Sequence, residues 1–478
     1  MTYTDFITLL PLLITAYGGA ALMVIVAFWR SNSAAFSLTL LTFAAAFASI
    51  FFALPCAPRA VTPLIVIDQY SLFFTGLILL GAILITLLCP SYFRTHEKRS
   101  EAFYVLLIMA VVGMIGVAAS SHFVSFFLAL ETVSISLYGL IGYTRNCRLS
   151  IEGAIKYLVL AASSSAFMLF GIALVYSEFG TMDFRQLAPL MSNELSLIPL
   201  FGIALVLVGF GFKLAIAPFH MWSPDVYQGA PAPVTALIAT GSKGAVFALL
   251  LRFAAIGGLI DNSTLFLAIN ILAIATMFVG NLLALMQRNV KRLLAYSSIA
   301  QIGYLLIPLL AGGTRGSSSI AFYITSYFAT TIAAFGVIAV ISSMRAMGDV
   351  EELDDYRGLA LNHPALAAVF SLALLSLTGI PLTSGFIAKF YIFTAAAQAG
   401  LWGLLIIGVI NSGISAFYYL RVLITMYTRG KSEPEPLPTA KPASAIALII
   451  STSVIIIFGI YPVPLIKLAV AATRHLSF

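Results

Sequence analysis

Five ionisable side chains interrupt or abut long apolar runs of this chain: Glu131, Lys156, Lys213, Lys243 and Lys389. A charge at the centre of a membrane helix costs about 2.5–3.5 kcal/mol even on the mildest insertion scale, so five of them call for chemistry beyond packing. Carboxylates and amines both bind and release protons, and the chemistry these residues point to is proton transport.

Composition dictates the elements that must hold them. The chain is 61% hydrophobic and 9% charged with a mean hydropathy of +1.05, far from the roughly 25% charged residues of a soluble domain. It is a polytopic membrane protein and, because lipid tolerates no open sheet edge, an all-α one. Apolar runs of about 18 residues or more, long enough to cross a bilayer, begin near Phe6, Ala35, Leu64, Ala102, His122, Gly153, Leu197, Ala232, Thr264, Leu293, Ser319, Ala365, Leu401 and Ala443. These are numbered helix 1 to helix 14. The longer intervening segments, near 178–196, 345–363 and 429–442, are acidic or Pro-rich and read as surface loops, which leaves no soluble domain between helices. No basic residue precedes the first run, so it is expected to stay as helix 1 and not to be cleaved as a signal peptide.

Lysine and arginine set the orientation. Loops after odd-numbered helices carry Arg30, Arg94, Lys98, Arg99, Arg145, Arg148, Arg288, Lys291, Arg292, Arg345, Arg357, Arg429, Lys431 and Lys441; the opposite side has Arg59, Arg185, Arg315 and Arg474. The odd loops are therefore expected in the cytoplasm and both termini in the periplasm. This bias accounts for the net charge of +7 without a nucleic-acid partner. Cys56, Cys89 and Cys147 are isolated and lack the spacing of an iron–sulfur or zinc site. The Gly-rich segments lack the strand context of a nucleotide site.

Two helices read as broken. Helix 7 contains Lys213, Pro218 and His220 within Gly209-Phe-Gly-Phe-Lys-Leu-Ala-Ile-Ala-Pro-Phe-His220; helix 12 carries Gly379, Pro381 and Gly385 ahead of Lys389. An interior proline removes one backbone hydrogen bond and clashes with the preceding turn, which in lipid is tolerated only where the gap faces protein or a water-filled cavity. An ordinary proline kink is the competing reading of either helix alone. The two lie five helices apart, so they cross in opposite directions, the sequence trace of an inverted repeat. The expected organisation is 1–101 for helices 1–3, 102–258 for a first repeat of helices 4–8, 259–428 for a second of helices 9–13, and 429–478 for a loop and helix 14.

Depth then orders the charges. Glu131 falls mid-way along helix 5, where a lone carboxylate must be neutral or paired. Lys213 is its natural partner, and a purely structural ion pair between helices 5 and 7 is the alternative. Lys243, near the centre of helix 8, has no acid nearby on its own helix, so its amine can exchange a proton near neutral pH; hydrogen bonding to carbonyls of an unwound helix is the alternative. Lys156 stands one turn into helix 6 with Glu152 four residues before it, so a snorkelling surface lysine and a functional one are both open. His220 fits proton uptake or helix capping. Lys389 lies toward the outside. Arg252, Arg421 and Lys467 fall near helix ends, where snorkelling suffices.

The string Pro224-Asp225-Val-Tyr-Gln-Gly-Ala-Pro231-Ala-Pro233-Val, with Lys213, Pro218-Phe-His220, Glu131 before a Ser-rich stretch, and Ser150-Ile-Glu152 leading to Lys156, resembles the subunit N family of bacterial respiratory complex I (NADH-quinone oxidoreductase) over nearly the whole chain. That family is similar to subunits of multisubunit cation/proton antiporters and related membrane-bound hydrogenase complexes, which stand as the alternative. The resemblance implies a proton-translocating subunit of an inner-membrane translocase with no redox centre of its own. NADH, FMN, iron–sulfur clusters and quinone would lie elsewhere in the complex, and neighbouring antiporter-like and small membrane subunits and lipid would be the partners. It implies Glu131 as the modulating carboxylate, Lys213 as the lysine it modulates, Lys243 as central relay, Lys389 as exit-side residue and Lys156 as a further channel lysine. Lys389 in place of a glutamate, and the absence of a long lateral helix, fit subunit N over its sister subunits. A hundredfold change in proton affinity, about 2.7 kcal/mol, exceeds the ~2.3 kcal/mol needed to move one proton against 100 mV, so moving the Glu131 charge relative to Lys213 suffices to drive one step.

Overall fold

The computed structural model describes residues 2–97, 99–191, 195–344, 348–429, 442–474 and 476. Lys98, Arg345, Lys431 and Lys441, counted above for orientation, and most of the 429–442 loop lie outside the described residues. Helices 1 to 6 run Tyr3–Phe28, Asn32–Ala53, Gln69–His96, Glu101–Ala119, Phe123–Ile141 and Arg148–Phe179. Helix 7 is Leu197–Leu214 and resumes after a break as Trp222–Gly229; helix 8 spans Ala232–Gly257. Helices 9 to 11 are Ser263–Leu285, Val290–Ala311 and Gly313–Ser342, helix 12 is Pro364–Thr378 plus Ser384–Gln398, and helices 13 and 14 are Trp402–Tyr427 and Pro442–Ile460.

Among the described residues, 13 helices are long and apolar enough to cross a membrane unaided. Each half of helix 12 has 15 residues, about 22 Å of rise against a hydrocarbon core of about 30 Å, so only the two halves together complete the crossing. Helix 3 begins at Gln69 and not near Leu64, because Arg59–Thr62 (β1) and Ile65–Ile67 (β2) pair as an antiparallel hairpin. Its β-branched Val61, Thr62, Ile65, Val66 and Ile67 favour the extended chain. Asp68 then caps helix 3 by accepting from the Ser71 amide.

Backbone pairings tie the loops of each face together. Ile65 bridges to Ser120 and His122 to Asp183 on the even-loop side, and Asn289 bridges to Glu352 on the odd-loop side. Helices 8, 10 and 11 form the centre, their apolar windows 100%, 94% and 94% buried. A helix buried all round has no water-facing side on which to place a polar group. Every polar side chain it carries must therefore find a partner inside the protein.

Candidate functional site

The break in helix 7 starts at Ala215, two residues after Lys213. Ala215 takes a left-handed conformation (φ 58°), and the chain turns through Pro218 and His220 before helix resumes. Groups freed by the turn are satisfied locally: the Phe212 carbonyl accepts from Trp222 Nε1 at 2.8 Å, and the Ala217 amide donates to Thr276 Oγ1 at 3.0 Å. Lys213 thus sits in the last turn of a helix, where unsatisfied carbonyls favour a cation.

The break in helix 12 uses different residues for the same end. Gly379 (φ 88°) and Leu382 (φ 72°) bracket Pro381, and the freed Thr378 carbonyl accepts from Lys389 Nζ at 2.8 Å. A Cβ on Gly379 would approach Lys389 Cδ to 2.9 Å. One on Gly385 would overlap the Ser376 carbonyl, so both positions require glycine for the halves to meet.

All three central lysines are buried: Lys213 is 5%, Lys243 1% and Lys389 5% exposed. Each donates to a neutral oxygen. Lys213 Nζ reaches Ser134 Oγ at 2.7 Å and lies 5.5 Å from the Tyr157 ring centroid. Lys243 Nζ, after a π-helical turn over Ile238–Ser242, reaches Ser298 Oγ at 2.8 Å and faces Tyr227 at 5.5 Å. Lys389 Nζ adds Ser412 Oγ at 2.9 Å to the Thr378 carbonyl and faces Tyr304 at 5.1 Å. Each ring presents the negative face of its quadrupole to the ammonium without a full charge.

Glu131 is half-buried on helix 5 and accepts from Ser165 Oγ of helix 6 at 2.6 Å. It acts electrostatically on Lys213, but the two make no contact ion pair; Ser134 takes the lysine and Ser165 the carboxylate. His220 is buried in the helix 7 break, interacts with the Lys243 charge, and its Nδ1 has no hydrogen-bond partner among the described residues. Lys156 stands apart from this buried set. Its side chain is 43% exposed, and its ammonium bridges Glu152 at 2.8 Å and Asp225 at 2.6 Å. Asp225 also binds Arg292 at 2.7 Å.

Several buried groups were not singled out by their sequence context. Arg252 does not snorkel: it is fully buried and makes a bidentate pair with Asp68 at 2.9 and 2.8 Å, against the Tyr70 ring. Arg421 caps helix 9 through the Leu285 and Gln287 carbonyls. Lys291 pairs with Asp349 at 2.6 Å on the odd-loop side. Asn281, on helix 9, donates to Tyr304 and Asn411 and accepts from Tyr418. The partners lie on distant helices, so only a helix-period count of buried polar positions could have pointed to them. Among the described residues, no cluster of three or more His, Cys, Asp or Glu is arranged to hold a metal ion.

Comparison with known proteins places this geometry among relatives. A family model described as NADH:quinone oxidoreductase/Mrp antiporter, transmembrane, matches residues 120–415. The chain is 40% identical over 475 residues to NADH-quinone oxidoreductase subunit N of Ectopseudomonas mendocina, covering 98% of this chain and 96% of the relative. A chain of respiratory complex I from Thermus thermophilus superposes with a TM-score of 0.83 at 33% identity, covering 96% of this chain and 99% of its own. A chain of the Mrp complex from a Dietzia species superposes with a TM-score of 0.86 at 22% identity, covering 100% and 98%, and shares the fold.

Proposed function

Because the chain belongs to the NADH:quinone oxidoreductase/Mrp antiporter transmembrane family, we propose that it is a proton-translocating membrane-arm subunit of an NADH-quinone oxidoreductase, coupling quinone reduction elsewhere in the assembly to proton transfer through buried Glu131, Lys213, Lys243 and Lys389. The carrying observation is that each of the three buried lysines is held by neutral oxygens, with no carboxylate in contact among the described residues. A structural ion pair supplies a fixed counter-charge to its lysine. An ammonium solvated by hydroxyls and carbonyls alone is free to lose its proton to a neighbour. Glu131 supplies the adjustable field, and drawing it away removes the negative potential that keeps the proton on Lys213.

In this reading His220, beside the Lys243 charge, receives protons from the cytoplasmic side. Lys156 is an uptake-side charge fixed by Glu152 and Asp225. The two breaks, at Pro218 and at Gly379, Pro381 and Gly385, free the carbonyls and make the turns that seat Lys213 and Lys389, one in each inverted repeat of helices 4–8 and 9–13. Residues 1–101 and 429–478 flank these repeats. The chain is multi-pass in the bacterial inner membrane, with odd loops cytoplasmic and both termini periplasmic. Its partners are neighbouring antiporter-like and small subunits and lipid; NADH, FMN, iron–sulfur clusters and quinone are bound elsewhere in the complex.

Glu131→Gln keeps the shape and the bond from Ser165 but removes the charge. It is expected to suppress proton uptake and quinone-coupled NADH oxidation together in inverted vesicles, per assembled complex on a native gel. Wild-type uptake in that variant would remove Glu131 from the mechanism.

A further inference from the structure

Between Lys243 and Lys389 lies a set of hydroxyls that the lysine chemistry alone does not use. Ser298 Oγ, on helix 10, is the meeting point. It takes Lys243 Nζ at 2.8 Å and Tyr327 Oη of helix 11 at 2.8 Å, with Tyr227 Oη at 3.2 Å. Tyr327 also lines a small cavity with Gln301, Ser326, Thr330, Ser376 and Lys389, of about 10 Å³. That is about the smallest volume that holds one water, and the lining offers more than the 2–4 polar partners a buried water needs.

Valence counting gives this junction a direction. A serine hydroxyl has one proton to donate and two lone pairs to accept with. Lys243 and Tyr327 both donate into Ser298 Oγ, so both lone pairs are taken and its own proton is left for Tyr227. In this arrangement no proton can pass from Lys243 toward Lys389, because Tyr327 points its hydrogen back at Ser298.

We propose that Ser298 and Tyr327 form a hydroxyl switch between the two halves of the proton path: rotation of the Tyr327 hydroxyl toward the cavity opens the path and its return closes it. The inference rests on the relay reading above. With the switch open, the Lys243 N–H bond breaks as a new O–H bond forms on Ser298. The Ser298 hydroxyl, turned from Tyr227 toward the freed Tyr327 oxygen, passes its original proton to Tyr327 Oη, and the Tyr327 proton moves through a cavity water to the unprotonated Lys389 amine. The net change is a neutral Lys243 and a protonated Lys389, with no hydroxyl left charged. Rotating these two O–H bonds on side chains that stay in place needs no helix movement.

The test is NADH-driven proton uptake by inverted vesicles carrying Tyr327→Phe, Ser298→Ala, Ser298→Thr or Lys243→Arg, normalised to assembled complex. Tyr327→Phe and Ser298→Ala are expected to lose on the order of 10²-fold in uptake, the scale of a lost positioned proton-transfer group. Ser298→Thr retains the hydroxyl and is expected to stay near wild type, an outcome that a role in packing alone would not give. Wild-type uptake in Tyr327→Phe, or equal loss in the Ala and Thr variants, would overturn the switch. If Lys243→Arg also abolishes uptake, the relay reading stands without the switch; if Lys243→Arg pumps normally, the relay reading itself fails.

Discussion

Replacing Asp68 by Asn takes from Arg252 its carboxylate partner while leaving the guanidinium where water cannot reach it, at 1% side-chain exposure. Beyond the single amide oxygen of the new Asn, what remains near it is the Ala118 carbonyl at 3.5 Å and the Tyr70 ring at 5.0 Å, and Arg252 Nε has no partner already. Breaking a buried pair from one side costs about 3–5 kcal/mol, because it strands a charge. An exposed pair such as Lys156–Glu152, at 43% and 48% exposure, is worth about 0–1 kcal/mol. Asp68→Asn is therefore expected to lower the amount of assembled complex on native gels and its thermal dissociation midpoint in detergent. Asp68→Asn with Arg252→Met removes both charges and should recover most of the loss. Burial raises the Asp68 carboxyl, but the Arg252 charge and hydrogen bonds outweigh it and hold the group below its ordinary value. A carboxyl depressed by folding contributes stability above its unfolded value and loses it as pH falls through the folded one. The pair therefore holds across the neutral range and fails only in acid, below about pH 4. A single variant as stable as wild type, or a double variant no better than the single, would refute the reasoning.

Gly385→Ala should push the second half of helix 12 off the Ser376 carbonyl and cost about 1–3 kcal/mol by overpacking; unchanged assembly and uptake would mean that the halves need not meet so closely. Lys156→Arg keeps both bridges to Glu152 and Asp225, so vesicles should pump at close to the wild-type rate. Abolished uptake in that variant would move Lys156 into the proton path.

Helix starts, both breaks and the buried lysines could be read along the chain because each depends on a local signal: a long apolar run, a proline among glycines, a charge among apolar residues. The hairpin at Arg59–Ile67 could not, since its β-branched strand Ile65–Ile67 merges with the apolar run of helix 3. Arg252 looked like a helix-end cation because its partner Asp68 lies 184 residues away. Charge alone pairs Glu131 with Lys213, yet Ser165 and Ser134 intervene. Serines blend into apolar helices and reveal their partners only when the helices are packed, so the Ser-rich stretch after Glu131 was visible but the pairing of hydroxyls with Lys213, Lys243 and Lys389 was not.

The central claim is that buried lysines carry protons, and Lys243→Arg tests it most directly. Arginine keeps the positive charge and can still donate to Ser298, but with a pKa above about 12 it cannot release a proton. NADH-driven proton uptake by inverted vesicles, measured against complex content, should be abolished in assembled Lys243→Arg complexes. Uptake near the wild-type rate would make Lys243 a fixed charge and contradict the relay.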